Sequence, residues 1–459
     1  MSNSRAVVLA GGKGARMNSS TPKILHDICG RPMFGWVVDA IFLSGIQDIT
    51  VVIPPEMDSR TMTQLAPYPV KFVKQNQPLG TGHALMHAAK HIEGSDGNIL
   101  VINGDAPLIK SETLTSFMKC HEENDATLSV MTCDGFPSMG MGSIVRNPSG
   151  NQVLSIIESK DINNVDWQST ESNVGAYCIK LSWLLTNIND IPETKEGQFY
   201  VTSLVDIACS QGVPAKSYRI LDKTEALGVN NGVEMSRARN ILQNRINDYW
   251  LMNGVNIIGP TYIDVGASIG TDCTILPNTF IYGKTIIGNM TSIGPGSIIK
   301  DASIGSRCNV TQSVVENAVI EDNVRVGPFS HIRSDSHIDS GVSIGNYAEI
   351  KNTYIGQETL VGHFSYLGDA RVGSNVNIGA GSITCNFDGV TKHQTIIEND
   401  VFIGSDSMLI APVRIGSGAS TGAGCVVTKD VPSGAKVVGM PARIISNQST
   451  LNKGKKPTQ

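Results

Sequence analysis

Residues Ile344 to Gly379 read I-G-N-Y-A-E, I-K-N-T-Y, I-G-Q-E-T-L, V-G-H-F-S-Y, L-G-D-A-R, V-G-S-N-V-N, I-G. An aliphatic residue followed by glycine recurs at Ile344, Ile355, Val361, Leu367, Val372 and Ile378, mostly at hexapeptide spacing. This repetition is the signature of a parallel β-helix solenoid. The aliphatic side chain points into the coil. The small residue after it sits where the chain turns and where a Cβ would crowd the next coil. One coil cannot bury its apolar side alone, so neighbours stack and share a core. Lys351, His363, Tyr366 and a non-repeating excursion from Ala380 to Gln394 interrupt the frame.

Outward from that stretch, the chain of 459 residues predicts two domains or three. Its 41% hydrophobic content is ample for packed cores, while 5% aromatics and 47 glycines suit a narrow prism filled with Ile and Val. The net charge of -5 gives no nucleic-acid footprint. Nine cysteines without C-x-x-C spacing predict free thiols in a reducing cytoplasm. The apolar run Ala6 to Ala10 is too short for a signal peptide, and no stretch has the length of a membrane helix. The expectation is a cytoplasmic protein with no membrane partner.

From the N-terminus, Arg5–Leu9 reads as a buried strand and leads into A-G-G-K-G-A-R-M. A helix with Phe34, Val37, Val38, Ile41 and Phe42 on one face follows Pro32. Ile49–Ile53 is a predicted strand, Thr81–His91 a helix, and Ile99–Ile102 a strand ending in N-G-D-A-P-L. Alternation of this kind predicts a doubly wound, mostly parallel α/β sheet that binds ligands at the carboxyl ends of its strands. Met235, Ala238, Leu242, Ile246 and Tyr249 form one helical stripe, read as a linker helix. The expected domains are residues 1–229, a linker at 230–253, a β-helix at 254–445 and a disordered tail at 446–459.

The loop Ala10 to Met17 carries glycines at 11, 12 and 14, which let backbone N–H groups approach phosphate, and Lys13 and Arg16 add charge there. Taken alone this is as well explained as a tight turn with solvated charges. The wider pattern is sharper. L-A-G-G-K-G-A-R-M with Pro22-Lys23, Q-N-Q-P-L-G-T-G-H-A (Gln75 to Ala84), N-G-D-A-P-L, I-I-E-S-K-D (Ile156 to Asp161), S-N-V-G-A-Y and G-V-N-N (Gly228 to Asn231) occur in order before the hexapeptides. The chain resembles the family of bifunctional N-acetylglucosamine-1-phosphate uridylyltransferases / glucosamine-1-phosphate N-acetyltransferases over roughly residues 5 to 440.

That resemblance implies a Rossmann-like nucleotidyltransferase domain followed by a left-handed parallel β-helix. It implies that Gln75 and Gly80, with the Ala10–Gly11 backbone and Thr81 beside them, read the uracil edge of UTP. Arg16 and Lys23 would stabilise phosphate charge, and Asp105 and Asn230 would hold Mg²⁺. Gly142, Glu158 and Asn173 would hold N-acetylglucosamine 1-phosphate. The sugar phosphate attacks the α-phosphorus and pyrophosphate leaves, a transfer that needs positioning and charge neutralisation rather than a nucleophilic side chain. The family shows G-E-Y-Y-x-T-D where Gly197 to Ser203 reads G-Q-F-Y-V-T-S, so two carboxylates are missing at Gln198 and Ser203.

In the repeats, a histidine is usually a plain surface residue. Here Arg333 and Lys351 lie one coil apart at about 18 residues per turn, and His363 follows in V-G-H-F-S-Y. Stacking predicts that the three converge, with two cations suited to a sugar phosphate. The same resemblance makes His363 the general base, since histidine exchanges protons near neutral pH. It assigns Arg333, Lys351, Tyr366 and Asn377 to glucosamine 1-phosphate and Asn386 to its amine. Ala380, Ser405 and Ala423 would line the acetyl-CoA groove, between neighbouring prisms of a homotrimer. Phe387 stands where the family has Tyr, and Gly439 where it has a coenzyme-A-binding Arg, whose place the nearby Arg443 of G-M-P-A-R would take on that resemblance. Two other readings compete: a sugar-1-phosphate nucleotidyltransferase whose β-helix is structural or regulatory, and a non-catalytic scaffold. The His363, Lys351, Arg333 and Asn386 set speaks against the first, and the Asp105, Lys23 and Arg16 set against the second.

Overall fold

A computed structural model describes residues 4–12, 14–58, 68–135, 140–150, 152–159 and 170–439. Lys13, Asp161, Arg443 and the expected tail at 446–459 lie outside the described residues. Two compact units divide the chain between Arg245 and Ile246, within the helix Gly232–Met252.

In the first unit the buried strand Arg5–Leu9 is central. It pairs in parallel with Asp48–Ile53 on one side and Asn98–Asn103 on the other. The full order is Lys216–Ile220, Leu128–Asp134, Glu171–Lys180, Asn98–Asn103, Arg5–Leu9, Asp48–Ile53, Lys71–Lys74. Glu171–Lys180 runs antiparallel to both of its neighbours, so the sheet is mixed. The expected mostly parallel sheet is present, and its antiparallel exception falls where the antiparallel pair Ser143–Arg146 and Val153–Ile157, with no helix among the described residues, comes between Leu128–Asp134 and Glu171–Lys180.

Apolar side chains on the two sides of the sheet build two cores. Phe34, Val38, Ile41 and Phe117 belong to one, and Leu85, Leu184, Leu204 and Val205 to the other. Helices therefore cover both faces, the geometry that buries a strand such as A-V-V-L on both sides. In Gly232–Met252, Met235, Ala238, Leu242 and Ile246 are buried as the stripe requires, but Tyr249 is 55% exposed. Its ring rests edge-on against Trp250 at 5.0 Å instead of packing inward.

The second unit is a three-sided left-handed β-helix. Its strands, mostly two residues long, stack into parallel sheets of 11, 10 and 9, each strand pairing with the one three further on except Ser420–Thr421, which pairs with Lys436–Val437, two further on. Ile332, Ile350 and Leu367 lie in register on successive coils and are at most 1% exposed. The glycine after each aliphatic residue is explained by crowding rather than by its own dihedral angle. A Cβ on Gly362 would stand 2.6 Å from Ala380 N, and one on Gly379 would stand 2.4 Å from Ser405 N. The left-handed conformation falls two residues later, at Tyr347, Phe364 and Gly381 (φ 59°, 56° and 75°). Among the described residues no helix is long and apolar enough to cross a membrane.

Candidate active sites

Both candidate sites grow from chain ends that the fold has already fixed. Leu9 and Asn103, neighbours in register, release the glycine loop and the Asp105 loop side by side, joined by Gly104 N–H donating to Leu9 O at 2.9 Å. Val229 N–H donates to Asp105 O at 2.9 Å and brings in the third loop, G-V-N-N. At their meeting point Lys23 Nζ lies 2.5 Å from Asp105 Oδ2 and 2.8 Å from Asn230 Oδ1. Arg16 Nη2 donates to the same Asn230 oxygen at 2.9 Å. Gly14 (φ 64°) makes this possible, because a Cβ there would lie 2.5 Å from Lys23 Cβ.

Asp105 and Asn230 thus present two oxygens to one cationic centre. A hard divalent ion prefers oxygen donors and takes the rest of its shell from water and phosphate, so the donor set fits Mg²⁺. Among the described residues no cluster of three or more His, Cys, Asp or Glu exists to hold a metal by protein ligands alone.

Beside this centre opens a cavity of about 240 Å³ that includes Arg16, Asp105, Gly142, Glu158, Asn173 and Asn230 in its lining. Gly142 is needed because a Cβ would meet Ile156 Cγ2 at 2.9 Å. Asn173 is fully oriented: its Oδ1 accepts from Gly175 N–H at 3.0 Å and its Nδ2 donates to the Tyr177 hydroxyl at 2.7 Å. Burial pushes the Tyr177 phenol well above its ordinary pKa, with the Glu158 charge adding to the effect, so it stays protonated. Thr202 Oγ1 donates to Glu158 Oε1 at 2.7 Å.

Tyr177, Thr202 and Glu234, whose carboxylate accepts the Asn230 N–H at 2.6 Å, were not singled out from the sequence. The signal for Thr202 was present, since it sits in G-Q-F-Y-V-T-S. Gln198 of that motif lines a second, smaller cavity of about 150 Å³ with Gly11, Gln75, Gly80 and Thr81. Its substitution therefore bears on the wall nearest Gln75, and Tyr200 OH donates to it at 2.7 Å.

On the β-helix, Arg333 and Lys351 stack as the coil length requires: Arg333 N–H donates to Ile350 O, and Lys351 aligns with Gly368 on the next coil. Arg333 Nη1 donates to Glu349 Oε1 at 2.6 Å. The Lys392 side chain, in hydrogen-bonding reach, and then the Lys392 and Arg333 charges hold Lys351 below the usual lysine value. Lys392 lies on the excursion loop and completes a cluster of three cations that sequence spacing could not reveal. The loop is folded rather than loose: His393 N–H donates to Asn386 O at 2.7 Å, and Asp388 accepts the Val390 and Thr391 N–H groups, both at 2.8 Å. Asn386 Nδ2 donates to Asp369, and Phe387 pairs with Lys392.

His363 is in a different column. It occupies the turn before Tyr366–Gly368, whereas Arg333 and Lys351 align with the far end of that strand. Among the described residues no hydrogen bond or ion pair joins His363 to either cation. Tyr366 leans to the cations: a Cβ on Gly368 would lie 2.3 Å from its hydroxyl, so the ring folds back over Gly368 towards the cationic edge. The Tyr366 phenol is close enough to raise the Arg333 pKa, after the larger effect of Glu349. Above His363, Ala380, Ser405 and Ala423 follow at the same turn position, linked by Gly381 N–H to His363 O, Asp406 N–H to Ala380 O and Gly424 N–H to Ser405 O, each 2.8 Å. A histidine capped by a file of small residues forms one edge of the prism. Asn377 stands on the adjoining face between Leu360 and Phe402.

Comparison with known proteins supports both halves. Residues 6–163 match the MobA-like NTP transferase domain, and residues 317–352 and 394–429 match the bacterial transferase hexapeptide (six repeats). The protein is 41% identical over 438 residues to the "Bifunctional protein GlmU" of Halalkalibacterium halodurans, covering 95% of this chain and 96% of the relative. It is 38% identical over 460 residues to the protein of that name from Streptococcus thermophilus, covering 99% of each. The Pelobacter propionicus protein of that name is 38% identical over 442 residues, covering 95% of this chain and 96% of the relative.

Proposed function

The chain belongs to the GlmU family of bifunctional proteins, and from that premise we propose how its residues divide two reactions between two sites. It is an enzyme of UDP-N-acetylglucosamine synthesis with acetyltransferase and uridylyltransferase activities, and acetyl-CoA and UTP are its co-substrates. Acetylation of glucosamine 1-phosphate comes first, at the β-helix. Uridylyl transfer to N-acetylglucosamine 1-phosphate follows, in the N-terminal unit.

At the first site His363 takes a proton from the glucosamine amine as nitrogen attacks the thioester carbon. The C–N bond forms, the C–S bond breaks, and the coenzyme A thiol leaves. Arg333, Lys351 and Lys392 neutralise the sugar phosphate, Tyr366 and Asn377 hold the sugar, and Asn386 orients the amine. The file Ala380, Ser405, Ala423 lets the cofactor arm lie close to the coils, with Phe387 beside it.

At the second site Gln75, Gly80 and Thr81, with the Ala10–Gly11 backbone, bind the uracil. Gly142, Glu158 and Asn173 seat the acetylated sugar. Its phosphate oxygen attacks the α-phosphorus and the bond to the β-phosphate breaks. Arg16 and Lys23 stabilise the charge that develops. Mg²⁺, held by Asp105 and Asn230, supplies further neutralisation of the phosphate oxygens when bound. The observation that carries the reading is the convergence of Lys23 and Arg16 on Asp105 and Asn230.

The active assembly is a homotrimer in the cytoplasm. Exposed rings of Phe329, Tyr347 and Phe364, stacked at 5.2 and 5.0 Å beside His363, support a neighbouring prism against that edge. Nine cysteines with no disulfide among the described residues suit a reducing compartment. The test has two arms. Acetyl-CoA with glucosamine 1-phosphate should release free thiol, and UTP with N-acetylglucosamine 1-phosphate and Mg²⁺ should release pyrophosphate. Thiol release by a species that sediments as a monomer would refute the shared groove.

A further inference from the structure

We propose that His83 is a positioning residue for base selection: it locks the Gln75 amide so that only an acceptor oxygen faces the nucleotide, which favours a pyrimidine carrying N3–H. The proposal rests on the reading of the Gln75 cavity as the base site.

Gln75 is 3% exposed, and its Nε2 lies 3.2 Å from Gly80 O and 3.0 Å from His83 Nδ1. A backbone carbonyl only accepts, so the amide atom facing Gly80 O is the nitrogen. That NH₂ group has two hydrogens. One serves the Gly80 carbonyl and the other serves His83 Nδ1, which is therefore the acceptor. A neutral imidazole in that state carries its proton on Nε2.

The surroundings hold the ring in this form. Burial, then the nearby His87, lowers the His83 pKa below the ordinary histidine value. The ring stacks on Phe199 at 6.1 Å and meets His87 edge-on at 4.4 Å, while His87 Nδ1 donates to the His83 carbonyl at 3.0 Å.

With both amide hydrogens spent, Gln75 offers the cavity its Oε1 alone. That oxygen lies against the glycine loop, since a Cβ on Gly11 would be 2.2 Å away. Uracil presents N3–H, a donor that matches it. Cytosine presents a bare N3, an acceptor, which would leave two buried acceptors facing each other unpaired. Rotating the amide to suit cytosine would place Oε1 against Gly80 O and strip His83 Nδ1 of its donor. The lock therefore converts a side chain of ambiguous polarity into one of fixed polarity.

The experiment measures pyrophosphate release from UTP and from CTP by full-length protein, with thiol release at the β-helix reporting the folded concentration. His83→Leu should lower the UTP:CTP ratio of kcat/KM about fivefold, the equivalent of one hydrogen bond of about 1 kcal/mol. His83→Asn, whose side-chain oxygen can replace Nδ1 as acceptor, should keep the ratio within about twofold of the unsubstituted protein. If Gln75→Ala lowers the ratio and His83→Leu does not, the lock is overturned while the base site stands. If Gln75→Ala leaves the ratio unchanged, the base site itself is misassigned. Should His83→Leu be inactive with both nucleotides, His83→Asn decides alone: discrimination kept supports the lock, and discrimination lost overturns it.

Discussion

Asp105 Oδ2 and Lys23 Nζ are ion-paired at 2.5 Å, and the lysine is also the group that draws Asn230 to the same point. The carboxylate comes from the end of a central strand and the amide from a loop more than a hundred residues later. One ammonium therefore gathers two oxygen atoms from distant parts of the chain, the point at which the proposed reading seats Mg²⁺ and the phosphates of the nucleotide. Both neighbours of Lys23 are oxygen donors without a nucleophilic role, as a transfer governed by charge neutralisation requires.

Asp105→Ala should lower pyrophosphate release about a hundredfold or more, because a lost metal ligand forfeits several kcal/mol of charge stabilisation. Thiol release by the same protein should be unchanged. Equal loss in both assays from a folded protein would show that the two reactions share a site.

His363→Ala should lower thiol release by about 10²–10⁴-fold, the usual worth of a general base. Uridylyl transfer should survive. A preserved thiol-release rate would remove the base assignment, whatever the role of the three cations.

Gly368→Ala tests the placement of the Tyr366 phenol beside the cations. The added methyl would collide with the Tyr366 hydroxyl at 2.3 Å. We expect KM for glucosamine 1-phosphate to rise about fivefold, the worth of one hydrogen bond, and Tyr366→Phe to match it. A rise with Tyr366→Phe but none with Gly368→Ala would mean that the phenol can work from another position.

Acid should destabilise the N-terminal unit through His121. This side chain is 2% exposed, its Nδ1 meets Ser129 Oγ at 2.8 Å, and burial lowers its pKa to about 4. The unfolded chain takes up a proton near ~6.5 while the folded one resists it, so stability is complete above that value and falls as pH drops towards 4. The loss amounts to about 3 kcal/mol at the low end. Urea midpoints of the protein and of His121→Gln between pH 7 and 4 should diverge at pH 7 and converge on acidification. Parallel curves would show that His121 does not titrate with unfolding.

Legibility from sequence followed local periodicity. The coil repeat placed Arg333 over Lys351, because parallel pairing copies one position from coil to coil. It does not by itself place His363, whose separation of 12 residues from Lys351 is two-thirds of a coil and lands on another column. Lys392 was invisible because its loop has no period. Gly368 looked like one more turn glycine, yet its role is to leave room for a ring. In the first unit the strands on either side of Arg5–Leu9 were readable as apolar runs. The direction of Glu171–Lys180 was not, since an apolar strand reads the same in either orientation. Thr202 and Glu234 contact residues 44 and 4 positions away; the motif flagged the stretch around Thr202, but neither contact leaves a spacing signature.

The file of small residues above His363 also works as a ruler. Each coil advances the edge by about 4.8 Å, so Ala380, Ser405 and Ala423 mark successive rungs from the imidazole. If this file is the acetyl-CoA groove, as proposed, a thioester carried on an arm of fixed length must park its carbonyl at rung zero. Inserting or excising a whole coil between these rungs would leave the prism intact and retune the enzyme to a longer or shorter acyl carrier.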